Sequence, residues 1–101
     1  MTNEEMLVEL KTLAEQIAIP VRFETGNFDG GLCVVNNERI LIVNKKASVP
    51  KKISTLAVGL HQCGLDSVYV KPAVREVIED ELAKLRVEQS AIQSSEPVEK
   101  T

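Results

Sequence analysis

Four consecutive apolar residues, Ile40 to Val43, lie between an Asn36-Asn37 pair and a well-capped helical segment, and this juxtaposition limits the fold more than any other feature. An apolar run without alternation suits a strand covered on both faces. Asn36 and Asn37 tolerate the positive φ that a tight type I′ turn demands of both central residues. The run is therefore the second arm of a hairpin, within a strand from Arg39 to Asn44, and Leu32 to Val35 form the first arm. Ser48 then offers an N-cap, and Pro50 falls in the first turn, where its missing N–H does no harm. Ile53, Leu56, Ala57 and Leu60 recur at helical spacing. Gly64 suits the left-handed residue after a helix, with Leu65 folding back on Leu60.

The flanking segments are read the same way. Thr2 and Glu5 fit a capping box, and Leu7, Leu10, Leu13, Ala14 and Ile17 make the apolar stripe of a helix over 3–18, stopped by Pro20. Val21 to Glu24 alternates and predicts a short strand with one wet face. Gly26 to Gly31 predicts a loop. After a short extended piece, Val68 to Val70, Pro72 opens a third helix with Ala73, Val74, Val77, Ile78, Leu82 and Leu85 on one face. Asp80 and Lys84 are spaced for an i,i+4 pair. Past Glu88 the apolar spacing fades, so 89–101 is expected to fray or be disordered. The expectation is one α+β domain over 1–88: a three-stranded, mainly antiparallel sheet with three packed helices, in the order α-β-β-β-α-α. The third strand should be central or at least well covered.

Composition excludes more than it suggests. A chain of 101 residues with 44% apolar and 27% charged side chains can close one modest core without disulfides. A net charge of −3 gives no overall attraction to nucleic acid or an anionic membrane. Phe23, Phe28 and Tyr69 are the whole aromatic complement, which is poor for stacking bases. Two cysteines, no basic leader and no long apolar run lead to the expectation of a cytoplasmic chain with reduced thiols.

Several residues carry candidate chemistry. His61 and Cys63 are the nucleophile or metal candidates, but two residues apart on a helix they diverge by about 200°. Zinc needs three or four ligands, and one His with two Cys would need carboxylates such as Asp66 to complete the set. Lys45, Lys46, Lys51 and Lys52 surround the start of the second helix, where free N–H groups favour an anion. With no glycine-rich cradle the plainer reading is a solvated basic surface. Asp29 and Asn27 are too few oxygens for a calcium loop. Glu76, Glu79, Asp80 and Glu81 are expected to face water. The stripe of Val74, Ile78, Leu82 and Leu85 either closes the core or leaves a docking face for a second copy or a protein partner.

The order of elements, together with Ile19 to Glu24, the Gly30-Gly31 approach to a strand, Ile40 to Asn44 and Thr55 to Ala57, resembles the N-terminal part of ImmA/IrrE-type zinc metallopeptidases, which act as anti-repressor proteases. The resemblance covers roughly 7–65. In that family the corresponding helix carries His-Glu-x-x-His, two imidazoles one turn apart on one zinc with a glutamate to activate water. Here Val58 and Gln62 stand in the imidazole positions and Gly59 in that of the base. Shifting by one residue makes His61 the second ligand but leaves Ala57 and Val58 in the other two places. The expectation is a small, non-catalytic interaction domain with the scaffold of a metallopeptidase, no metal and no cofactor. The rivals are a thiol- or metal-dependent enzyme using Cys63 and His61, and a weak anion or nucleic-acid binder using the four lysines.

Overall fold

The helix ends are written locally and form where side chains satisfy the first N–H groups. The structure, a computed structural model, describes residues 1–28 and 30–95, with 88–95 as helical backbone only. The first helix, α1 (Asn3–Gln16), starts at a complete capping box. Thr2 N donates to Glu5 Oε1 at 2.8 Å and Glu5 N donates to Thr2 Oγ1 at 3.1 Å. It stops well before Pro20, by a different device. Ala18 takes φ +60°, its N–H donates to Glu15 O at 3.0 Å, and Ile19 N donates to Ala14 O at 2.9 Å. That pair of bonds is a Schellman motif with alanine where glycine is usual, closed by the buried Ile19.

Three strands follow: β1 (Val21–Glu24), β2 (Gly30–Val35) and β3 (Glu38–Asn44). Asn36 and Asn37, at φ 53° and 67°, make the expected turn between β2 and β3, which pair antiparallel. β1 pairs parallel to β3, giving the sheet order β1-β3-β2 with β3 central. The chain must therefore cross the end of β3 to pass from β1 to β2. Asn44 holds that crossing: its Nδ2 donates to Gly26 O at 3.0 Å and Phe28 O at 2.7 Å, while its Oδ1 accepts from Lys46 N at 3.0 Å.

The second helix, α2 (Val49–Cys63), begins at Ser48, whose hydroxyl accepts from Lys51 N at 3.3 Å, and ends at Gly64, φ +92°. The third, α3 (Pro72–Ser95), runs on past Glu88, where the apolar spacing fades; residues 96–101 of the expected tail lie outside the described residues. The architecture is thus α+β with three helices and a mixed sheet, in the expected element order.

The core lies between the sheet and the helices, with α2 at its centre. Leu41 and Val43 of β3 meet Leu10 of α1, Leu56 and Leu60 of α2, and Val74 of α3, each of these at most 1% exposed. Burying each such side chain contributes about 1.5–3 kcal/mol before chain entropy is counted. Val21, Phe23 and Leu32 pack against the same cluster. Ile40 and Ile42 point to the opposite face, where no helix packs among the described residues. The expected second covering layer is therefore not there. Ile40 is nonetheless buried, because a central strand is shielded sideways by its neighbours, here Cys33 in register beside it. No helix of the described residues is long and apolar enough to cross a membrane.

Candidate functional site

One stripe of α2 is turned away from the packed core and towards β2. Lys51, Thr55, Val58 and Gln62 recur every three or four residues and form the floor of a groove of about 410 Å³. Gly30, Gly31 and Leu32 of β2 make one wall, and Glu81, Lys84 and Leu85 of α3 make the other. From Lys51 to Gln62 the floor is about 16 Å long, the length of roughly five residues of extended chain.

Val58, Gly59 and Gln62 all line this groove, so the three positions singled out in the sequence do converge. Their chemistry is inert. Valine and glycine offer no donor atom, and a glutamine amide neither ionises nor takes up a proton at neutral pH. Gly59 has a packing reason. A Cβ added there would fall on Leu41 Cδ2, from a side chain that is itself wholly buried. A methyl at this position would have to displace the tip of the Leu41 side chain, which is hemmed in by the buried core. That contact offers a reason for a residue costing about 1 kcal/mol relative to alanine inside a helix.

His61 and Cys63 leave α2 in other directions. His61 is exposed and lines a separate hollow near Asp66, Arg75 and Glu79. Cys63 is half-buried, and its carbonyl accepts a hydrogen bond from Arg39 Nη1 at 3.3 Å. Burial pushes the Cys63 thiol up, and the Arg39 guanidinium offsets this only in part. A thiol nucleophile needs the opposite shift. Cys33 is a free, half-buried thiol on the far face of the sheet, its Sγ 3.8 Å from Gly31 O. No three His, Cys, Asp or Glu side chains among the described residues gather closely enough to hold a metal ion.

The other candidates disperse. Lys45, Lys46 and Lys51 are exposed and Lys52 half-buried, and none forms an ion pair among the described residues; only Lys51 reaches the groove. Lys84 pairs with Glu81 at 3.2 Å rather than with Asp80. Glu76, Glu79 and Asp80 face solvent, as expected, but Glu81 does not: its side chain is half-buried on the groove wall beside Lys84. Asp29 lies outside the described residues. Of the α3 stripe, Val74 and Ile78 are buried in the core and close it, while Leu82 and Leu85 are half-buried and Leu85 borders the groove.

The groove itself could not be read in the sequence. The signal that was available is β2: six residues, Gly30 to Val35, with no charge and no proline. Edge strands usually carry such blocking residues. β1, the other edge, does so, with Arg22, Glu24 and the preceding Pro20.

No protein-family model matches this sequence, and no curated protein and no solved structure matches it.

Proposed function

We propose that this chain is a non-catalytic interaction domain that holds an extended segment of a protein partner in the groove between β2 and α2. On this reading it keeps a metallopeptidase-like arrangement, an edge strand above a helix, without the groups that would cut what lies between them. The observation that carries the proposal is the lining of the groove: Val58, Gly59 and Gln62 sit together beside an unblocked strand edge and supply neither a ligand nor a base. The space that a general base would need at position 59 is filled by Leu41.

The test is twofold. Purified protein dialysed against zinc should retain none by elemental analysis. One zinc held tightly per chain would overturn the non-catalytic reading. A labelled, extended peptide of alternating valine and threonine should shift the amide resonances of β2 and of the Lys51 to Gln62 stripe. Shifts confined to α3 or to the Ile40 and Ile42 face would overturn the assignment of the groove.

A further inference from the structure

The two-residue turn at Asn36-Asn37 fixes which backbone groups of β2 are free. In a hairpin of this kind the residues flanking the turn, Val35 and Glu38, exchange hydrogen bonds, and the pattern alternates along the ladder. Cys33 with Ile40 and Gly31 with Ile42 are then the other bonded pairs, and the N–H and C=O groups of Leu32 and Val34 point off the sheet. Beyond the ladder, no described backbone group bonds to either residue. Val34 is 67% exposed and Val35 43%, so the edge is apolar as well as unpaired.

The groove has a polarity along its length. Gly30 lies against Thr55, near the start of α2, and Arg39, in register with Val34, reaches the end of α2 at Cys63. α2 therefore runs alongside β2 in the same direction, with Lys51 and the N-terminus of the helix at the Gly30 end. Among the described residues the charged side chains lining this groove are Lys51 and the Glu81–Lys84 pair, which leaves Lys51 as the uncompensated charge at that end. Lys51 has no ion-pair partner among the described residues, the first turn of α2 has no acidic residue, and the helix dipole adds to the field. A strand added antiparallel to β2 would bring its C-terminal end to this place.

Resting on the groove reading above, we infer that the occupant is an extended peptide segment that adds antiparallel to β2 through Leu32 and Val34 and ends in carboxylates beside Lys51. Backbone pairing supplies the attachment, and charge at one end sets the direction and the choice of partner. A basic end at the same place would meet Lys51 and the helix N-terminus with like charge.

Three probes decide it: a labelled valine–threonine peptide ending in two aspartates with a free carboxylate, its twin ending in two lysines with an amidated end, and the acidic peptide N-methylated at alternate residues. By fluorescence anisotropy the acidic peptide is expected to bind about three- to ten-fold more tightly than the basic one, the size of one or two partly exposed ion pairs. The difference should shrink at high salt, where the screening length is only a few ångströms. Lys51→Glu, an exposed site, should abolish or invert the preference. N-methylation should abolish binding without touching the protein. Val34→Pro should do the same from the other side, because the N–H it removes faces away from β3. Equal binding of both peptides, lost on N-methylation, would overturn the acidic occupant and leave the groove reading standing. Failure of both peptides to bind, or binding indifferent to N-methylation, would overturn the groove reading itself.

Discussion

Gly59→Ala separates two opposing effects whose sizes are set by the structure. In an exposed helix interior the change would stabilise by about 1 kcal/mol, through helix propensity and a less disordered unfolded chain. At this site the new methyl falls on Leu41 Cδ2, and Leu41 is fully buried among the core residues. Crowding a packed core by one carbon costs about 1–3 kcal/mol. Overpacking should prevail, leaving the variant less stable than wild type by about 1 kcal/mol. Leu41→Val removes the δ carbons and should itself cost about 1 kcal/mol. In that background the clash is gone, so Gly59→Ala should become stabilising by about 1 kcal/mol. The coupling of about 2 kcal/mol is well above the limit for independent sites. Urea unfolding of the four proteins, followed by far-UV circular dichroism, measures it. If Gly59→Ala stabilises the wild-type protein, or if the two changes simply add, then Leu41 does not dictate glycine here and the close approach is misjudged.

Three further outcomes follow from local geometry. Ala18→Gly should raise stability by about 1 kcal/mol, because it relieves a left-handed alanine in the Schellman motif that ends α1, as a thermal melt would register. Asn44→Asp should lower stability by about 1–3 kcal/mol, since it replaces the donor to Gly26 O and Phe28 O with a charged acceptor, and amide exchange should quicken first in the β1–β2 crossing. In a Cys33→Ser background Cys63 should react with a thiol reagent at neutral pH more slowly than an open cysteine. Arg39→Gln should slow it further by removing the group that lowers its pKa. For the same reason this thiol's contribution to stability should be whole below the ordinary thiol range and decline as pH rises through it.

What could be read in the sequence was what neighbours in the chain decide. Thr2 with Glu5, Ser48, the paired asparagines and Gly64 each act within a few residues, and each lies where its local chemistry placed it. The end of α1 was misassigned to Pro20 because alanine carries no left-handed signal. The motif there depends on the burial of Ile19, which local spacing does not reveal. The parallel pairing of β1 with β3 joins segments separated by β2, and nothing in Val21 to Glu24 specifies its partner. The apolar run in β3 suggested two covering layers, but central position in the sheet already shields Ile40. The groove is legible only after α2, α3 and β2 are brought together. The inertness of Val58, Gly59 and Gln62 could be read beforehand, and the reason for Gly59, the side chain of Leu41, could not.

Amide hydrogen exchange at Leu32 and Val34, measured residue by residue with and without the acid-ended valine–threonine peptide, decides whether β2 offers its free backbone groups to an incoming strand. Both amides should exchange quickly in the free protein and slow together by at least ten-fold when the peptide binds, with Cys33 and Val35 already slow beforehand. Unchanged exchange at Leu32 and Val34 in the bound state, or new protection on β1 instead, would contradict the account.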